Sequence, residues 1–163
     1  MRIRAARPGE LGAVGALTVQ AYVSDGLLGP DDDYVSELAA AEQRLAEAEL
    51  LVAADHDEGL LGTVTFCLPG SPWAEISKAD EAEFRMLAVA PHARRRGVGS
   101  ALARWCVDRA REQGCSALAL STMPDMRAAQ RIYERMGFVR APQRDWQPHP
   151  EVTLIGYVLD LRP

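Results

Sequence analysis

A strand, a glycine turn and a helix follow one another without interruption between residues 83 and 113. The segment EFRMLAVA is an apolar run of strand length, and Pro91 ends it because proline cannot donate a hydrogen bond to a sheet ladder. The turn HARRRG comes next, and from Val98 onward apolar residues recur at helical spacing. A chain with this succession must pack a helix directly against a sheet, which restricts the folds available to it.

The remaining segments predict one domain of the α/β (α+β) class. The 163 residues, 48% of them hydrophobic, suffice for a single compact domain spanning 1–163. Alternation and helical periodicity predict the element order β-α-α-β-β-β-α-β-α-β-β. Pro8 opens the first helix, which runs to about Val23, and one continuous second helix starts at Asp33. The segment 142–150, PQRDWQPHP, is predicted as a loop, so a mixed sheet covered by helices is expected.

Charge and cysteine content narrow the function classes. A formal net charge of -5 disfavours a nucleic-acid-binding protein, which normally carries a basic surplus. No window approaches the roughly 20 apolar residues of a membrane span, and the N-terminus lacks a signal-peptide pattern. The three cysteines match no metal or redox spacing and are predicted as reduced thiols: Cys67, Cys106 and Cys115. We therefore expect a cytoplasmic protein that uses no metal and binds neither nucleic acid nor membrane.

The glycine turn has the composition of an anion-binding site. The first N–H groups of a helix lack intrahelical partners, and glycine at 97 and 99 lets the backbone approach a ligand closely. Arginines at 94, 95 and 96 would add donors suited to phosphate oxygens. The mononucleotide P-loop needs a lysine after Gly99, and the dinucleotide fingerprint needs glycine where Leu102 stands. A phosphate or pyrophosphate site remains, beside the alternative of a tight turn with solvated arginines.

Three motifs follow one another along the chain: MLAVAP, then R-x-x-G-x-G at Arg94, Gly97 and Gly99, then A-x-x-x-Y-E-R-M-G-F ending at Phe138. In this order and spacing they resemble the GCN5-related N-acetyltransferases, the GNAT superfamily. The resemblance covers residues 83 to 139 by motif. It implies a GNAT-like mixed, mostly antiparallel sheet of six to seven strands flanked by about four helices. It also implies acetyl-CoA as donor and direct attack of an amine on the thioester.

The resemblance assigns cofactor contacts residue by residue. The turn residues would wrap the CoA pyrophosphate with backbone N–H groups. The strand residues would form a bulge that leaves backbone groups free for the pantetheine arm and the thioester carbonyl. The cofactor-binding residues expected on this basis are Leu87, Ala88, Val89, Arg94, Arg95, Arg96, Gly97, Val98, Gly99 and Ser100. Met126 departs from the family pattern, which often has asparagine at this position, and Ser121 or Thr122 is a candidate substitute.

Two residues are candidates for proton transfer. Tyr133 matches the tyrosine that family members often use to protonate the departing CoA thiolate, with ring packing as the alternative. Glu83 is the leading candidate for the base, since period-two alternation puts it on one strand face with Arg85, Leu87 and Val89. A salt bridge to Arg85 is the alternative for Glu83, and ordered water is the alternative base. The reserves are Glu75, Asp145 and His149.

The acceptor is expected to bind among segments 22–34, 68–81 and 141–150, by the family resemblance. Their acids suggest a small cationic amine, unless they serve helix ends: Asp25, Asp31, Asp32, Asp33, Glu75, Asp80, Glu81 and Asp145. The aromatic residues there suggest an acceptor with some apolar body, or core packing: Tyr22, Tyr34, Trp73 and Trp146. A small-molecule amine is the first expectation and a peptide or protein amine the second. A non-catalytic acyl-CoA-binding regulatory module is the alternative function, and an edge strand near the C-terminus could pair two chains.

Overall fold

The computed structural model describes residues 1–24, 26–29, 33–57 and 59–163. Within these residues the chain forms eight strands and five α-helices. The strands are β1 (Arg2–Ala5), β2 (Glu49–Ala54), β3 (Leu60–Cys67), β4 (Ala82–Val89), β5 (Ala117–Thr122), β6 (Val139–Arg140), β7 (Trp146–His149) and β8 (Val152–Asp160). The helices are α1 (Leu11–Val23), α2 (Tyr34–Ala39), α3 (Ala41–Glu47), α4 (Val98–Glu112) and α5 (Arg127–Arg135).

The strands form a mixed sheet in the order β1-β2-β3-β4-β5-β8-β6, with β7 paired to β8. Only the β4–β5 pair is parallel among the strand pairs of the described residues, and the other pairs are antiparallel. The predicted α/β class and the mostly antiparallel sheet are confirmed. The strand number is higher than the six to seven expected, because Trp146–His149 pairs with β8 instead of forming a loop. Pro148 is tolerated there because the strand lies at a sheet edge.

The second predicted helix is broken in two at Ala40, which raises the helix count to five. Local sequence favours a continuous helix there, since the stretch is rich in alanine. Tertiary packing decides otherwise. The carbonyl oxygen of Ala39 lies so close to Gly15 that a Cβ on that glycine would be 2.7 Å from it. The Arg44 guanidinium also donates hydrogen bonds to the carbonyls of Glu37 and Leu38, which gives these carbonyls at the end of α2 a partner.

Helices cover both faces of the sheet. Leu51 and Ala53 of β2 belong to a core cluster with Leu102 of α4, whereas Leu50 and Val52 pack with Val14 of α1. Alternate residues of one strand thus enter different layers, as the pleat requires. None of the helices in the described part of the chain is both long and apolar enough to cross a membrane. The sheet opens towards the C-terminal end of β4, beyond its pairing with β5.

Candidate active site

The parallel strands β4 and β5 separate at the middle of the sheet. Their pairing runs from Ala82↔Leu118 to Phe84↔Leu120. Beyond that point β4 continues to Val89 and β5 to Thr122, without further pairing between them in the described residues. The backbone groups of β4 that would face β5 are therefore free for a ligand. This is the type of crevice in which open mixed sheets bind substrates.

A β-bulge lies in β4 at the same place. Thr63 of β3 pairs with Ala88 and Thr65 pairs with Arg85, so β4 holds one more residue than β3 between these pairs. Met86 adopts a φ of +55°, a conformation that non-glycine residues rarely take. The extra residue interrupts the alternation of side chains. The expectation that Glu83 and Arg85 share a face with Leu87 and Val89 is therefore wrong.

The glycine turn leads from β4 into α4 through two left-handed residues. Arg95 has a φ of +63° and Gly97 a φ of +76°. Gly97 is the N-cap of α4, and the first intrahelical bond runs from Ala101 N–H to the Gly97 carbonyl. The N–H groups before Ala101 thus have no intrahelical partner. They carry the partial positive charge of the helix end, as the anion-site interpretation requires.

A cavity of about 930 Å³ lies between β4, the glycine turn and α5. Every predicted cofactor residue except Arg96 lines it: Leu87, Ala88, Val89, Arg94, Arg95, Gly97, Val98, Gly99 and Ser100. Arg96 is exposed outside the lining. Arg94 also donates to the carbonyl of Ala21 at 3.4 Å, which ties the turn to α1. The structure therefore brings the predicted residues of the turn and strand together around one space.

Three arginines that sequence analysis missed also line this cavity. Arg127, Arg131 and Arg135 stand at spacing four on α5, so they share one helix face. That spacing is legible in the sequence and could have identified them. Together with Arg94 and Arg95 they make the cavity basic within an acidic chain. A polyanionic ligand is the electrostatic complement of such a surface.

Tyr133 lies on α5 beside this cavity but is not one of its lining residues. Ala129 and Ile132 of the same helix do line it. The Tyr133 side chain is 4% exposed, and its ring packs edge-on against Phe84 and Phe138. Burial raises the pKa of Tyr133 above its usual value, so the phenol is neutral at physiological pH. Its acid role stays a prediction.

Glu83 is completely buried and faces the loop before β4, away from the residues that line the cavity. Its Oε1 accepts hydrogen bonds from the backbone N–H groups of Glu75, Ile76 and Ser77 at 3.0, 2.8 and 2.9 Å. Burial raises the pKa of Glu83, and the three N–H donors act in the opposite direction. These contacts describe an anchor for the loop. The salt-bridge alternative with Arg85 is replaced by backbone hydrogen bonds.

The three reserve residues have partners of their own. Asp145 accepts two hydrogen bonds of 2.6 Å from Arg140, and this contact lowers the pKa of Asp145. His149 Nε2 lies 3.0 Å from Glu37. The Glu75 carboxylate lies 3.8 Å from Arg85. An amine entering this region would have to compete with these contacts.

The predicted acceptor end contains an arginine between aromatic rings, and two of its predicted acids are held in ion pairs. The Arg85 guanidinium carbon lies 5.6 Å from the centroid of Trp73 and 5.3 Å from that of Trp146. Glu81 is buried in an ion pair with Arg144, as Asp145 is paired with Arg140. Asp25, Asp31 and Asp32 lie outside the described residues. The pairing of Glu81 and Asp145 removes two of the charges on which the cationic-amine expectation depended.

The residues near Met126 are also engaged. Met126 lines the cavity, and its Sδ accepts a hydrogen bond from Thr122 at 3.6 Å. Ser121 accepts one from Trp146 Nε1 at 3.2 Å. The structure thus puts Thr122 beside the cavity wall and uses Ser121 to hold a tryptophan of the acceptor end. Of the two candidate substitutes for the family's asparagine, Thr122 contacts the lining directly.

Comparisons with known proteins agree with this geometry. A model of the Acetyltransferase (GNAT) family matches residues 18–138. A search of curated proteins found no match. A GNAT-family acetyltransferase from Staphylococcus aureus Mu50 superposes with a TM-score of 0.77 at 16% identity, covering 99% of both chains. The ribosomal-protein-alanine N-acetyltransferase of Brucella melitensis gives a TM-score of 0.74 at 21% identity, covering 99% of this chain and 100% of its own.

YncA from Salmonella typhimurium, solved with its cofactor acetyl-CoA, has a TM-score of 0.71 at 22% identity, with 100% and 95% of the two chains covered. At such identities the likeness establishes the shared fold. The family match is independent of it and covers well over half of the sequence. The resemblance inferred from the three motifs is confirmed, and the chain belongs to the GNAT acetyltransferase family.

Proposed function

We propose that this protein is an acetyl-CoA-dependent N-acetyltransferase that moves the acetyl group to an amine by direct attack on the thioester. The observation that carries the proposal is the basic cavity between the bulged strand β4 and the free end of α4. The donor is a thioester linked to a pyrophosphate, and the cavity offers a cationic end beside an open strand. The proposed reaction takes place in the cytoplasm, without a metal, on a small-molecule amine.

The glycine turn would hold the diphosphate. The N–H groups of Val98, Gly99 and Ser100 precede the first intrahelical acceptor bond and border the cavity. Backbone donors at a helix start bind phosphate oxygens without the entropy cost of ordering long side chains. Arg95 and Arg131 would add charge at the rim. Binding by this route would direct the pantetheine arm along β4.

The thioester would lie at the bulge. Leu87, Ala88 and Val89 border the cavity where β4 has no β5 partner. As the amine attacks, negative charge grows on the thioester oxygen, and a preorganised backbone N–H there would lower the barrier by about 3–4 kcal/mol. The tetrahedral intermediate then collapses, the C–S bond breaks and the thiolate leaves. This role needs only backbone atoms, so it places few demands on the side chains of β4.

Tyr133 would protonate the departing thiolate. Its burial favours the neutral phenol, which is the form that can donate a proton. The base is assigned less directly. Glu83 stays a prediction as the base, but its three backbone hydrogen bonds support a positioning role for the loop 75–77 more directly. Loss of the amine proton to ordered water fits both arrangements.

The test combines acetyl-CoA binding with turnover. Calorimetry with acetyl-CoA measures the first, and release of free thiol measures the second over a panel of amines that includes a peptide beginning with alanine. That peptide is chosen because one structural neighbour is a ribosomal-protein-alanine N-acetyltransferase. We expect binding, turnover of at least one amine, and a fall in kcat of about 10- to 100-fold for Tyr133→Phe. The Kd of acetyl-CoA should be unchanged in that variant.

Tyr157→Phe is the matched control, because Tyr157 packs near Tyr133 and its hydroxyl donates to Glu134 instead. Its kcat should stay within about twofold of the wild-type value. Tight binding of acetyl-CoA without turnover of any amine would favour the regulatory module. Absence of binding at millimolar acetyl-CoA would refute the proposed function altogether.

A further inference from the structure

Two buried arginines lie together at the acceptor end, outside the residues that line the cavity. Arg44 of α3 is 0% exposed and Arg85 of β4 is 3% exposed. Burial lowers the pKa of Arg44 to about 10, and the charge of Arg85 lowers it in the same direction. Buried cations usually have a short ion pair with a carboxylate. The arginine pair, Arg44 and Arg85, departs from this rule.

Arg44 has unused hydrogen-bonding capacity. Its Nη1 donates to the carbonyls of Glu37 and Leu38 and to the Sδ of Met86, at 3.0, 2.8 and 3.0 Å. Its Nε and Nη2 are buried and have no hydrogen-bond partner among the residues that the structure describes. All three acceptors of Nη1 are uncharged. Two unmatched guanidinium donors in the interior are costly unless a ligand supplies the acceptor.

Arg85 also binds mainly neutral groups. It donates to the Trp73 carbonyl at 3.1 Å and lies 3.5 Å from the Tyr34 hydroxyl. The carboxylates of Glu37 and Glu75 lie 3.9 and 3.8 Å from Arg85, and both side chains are more than a third exposed. The charge of Glu83 raises the pKa of Arg85, but the Glu83 carboxylate accepts its hydrogen bonds from loop N–H groups. None of these acids neutralises Arg44.

The arginine pair lies next to residues that border the cavity. Leu27 and Met126 line the cavity and also pack in the aromatic cluster that contains Tyr34, Trp73 and Trp146. Met86, whose sulfur contacts Arg44, directly precedes Leu87 of the cavity wall. A molecule whose amine reaches the bulge of β4 would extend past these residues towards the arginine pair. The aromatic rings would cover the apolar part of that molecule.

We propose that Arg44 and Arg85 bind a carboxylate carried by the acceptor, so that the substrate is an amino acid or a similar amine bearing a carboxylate. This inference rests on the proposed acetyltransfer and names the acceptor class of the same site. A carboxylate matches the forked geometry of guanidinium groups and would satisfy the two unpartnered donors of Arg44. The covalent chemistry is unchanged, because the carboxylate is bound and does not react.

The experiment compares matched acceptors that differ only in this group. The probes are leucine, leucinamide and isopentylamine, with the corresponding phenylalanine series, each tested in the presence of saturating acetyl-CoA. Binding is followed by tryptophan fluorescence, since Trp73 and Trp146 flank Arg85. Turnover is followed by thiol release, and the rates are compared at equal concentrations of the unprotonated amine. The wild-type protein should bind and acetylate the carboxylated probe about 10- to 100-fold better than its amide.

Variants locate the preference. Arg44→Gln and Arg85→Gln should abolish it while the Kd of acetyl-CoA stays within about twofold, and Arg104→Gln, at an exposed position on α4, should retain it. If the glutamine variants do not fold, Arg85→Lys replaces them, and it should weaken the preference because lysine lacks the forked geometry. Equal binding of amide and carboxylate by the wild-type protein would overturn the inference. A preference that survives both glutamine variants would do the same.

Failure of the two proposals can be told apart. If acetyl-CoA does not bind, the proposed acetyltransfer is wrong, whatever the fluorescence titrations show. If acetyl-CoA binds and uncharged amines are acetylated as well as carboxylated ones, acetyltransfer stands and the carboxylate subsite is wrong. If no probe is acetylated, the fluorescence titrations decide, since they measure the carboxylate preference without turnover.

Discussion

Replacing Gly99 by alanine should make the protein more stable and a poorer binder of acetyl-CoA. Gly99 is the second residue of α4 and takes a normal helical conformation, so alanine fits its backbone. Alanine in place of a helical glycine stabilises a protein by about 0.5–1 kcal/mol, mainly through the unfolded chain. The new Cβ would lie 3.5 Å from Ile132, 3.6 Å from Val89 and 3.7 Å from Leu87, which is ordinary van der Waals contact.

Burial of that methyl group contributes up to about 0.8 kcal/mol more. For a chain of this size, a total gain of about 0.5–1.8 kcal/mol raises Tm by about 1–7 °C. The same methyl group occupies space in the cavity, because all three of its neighbours line it. We therefore expect the Kd of acetyl-CoA to rise at least about tenfold, which corresponds to about 1.4 kcal/mol.

Gly12→Ala is the matched control, since Gly12 is the second residue of α1 and its added Cβ would have no atom within 4 Å. It should raise Tm by about 1–4 °C and leave acetyl-CoA binding unchanged. Thermal unfolding with and without acetyl-CoA measures both quantities, because a ligand that binds only the folded state raises Tm by an amount that grows with the ratio of its concentration to its Kd. Wild-type affinity in Gly99→Ala would refute the assignment of this cavity to the donor.

Three further predictions concern stability and reactivity. Glu83→Ala should lower the free energy of unfolding, measured in urea, by about 2–4 kcal/mol, because the loop N–H groups that donate to the carboxylate would lose their acceptor. Glu83→Gln should lower it less, because the amide keeps one acceptor oxygen. Arg4 holds the pKa of Glu10 at about 2, so the contribution of Glu10 is complete above about pH 4.5 and is lost as the pH falls towards 2; Glu10→Gln should be less stable than wild type at pH 6 and equal to it at pH 2. Iodoacetamide at pH 8 should leave the three native thiols unmodified and react with them only in denaturant. Burial raises the pKa of Cys67 to about 12 and also raises the pKa of Cys106 and Cys115.

The strand–turn–helix core of the site follows from local sequence. Pro91 ends β4, Gly97 supplies the left-handed N-cap, and apolar periodicity starts α4 at Val98, each by a short-range physical rule. These rules operate within a few residues and do not depend on the rest of the chain. The predicted cavity residues of the turn are therefore found together, apart from Arg96.

The break in the second helix illustrates what local rules miss. Nothing in the alanine-rich stretch around Ala40 disfavours a helix, and the interruption depends on the close contact with Gly15 of another helix. The strand β7 is similar, because its pairing with β8 outweighs the loop-like composition of 142–150. Both departures come from residues distant in sequence.

The sequence by itself determined the layered α/β fold, the glycine turn between β4 and α4 and the family, because periodicity, proline and glycine act over short distances. Only the tertiary structure decided the bulge at Met86, which carries no local signal and turns Glu83 and Arg85 away from Leu87. Only the tertiary structure also brought Arg44 beside Arg85 and placed tryptophan rings over the latter. Such contacts join helix α3, strand β4, the loop before β4 and strand β7. Their geometry depends on the packing of the whole sheet, and no window of sequence contains it.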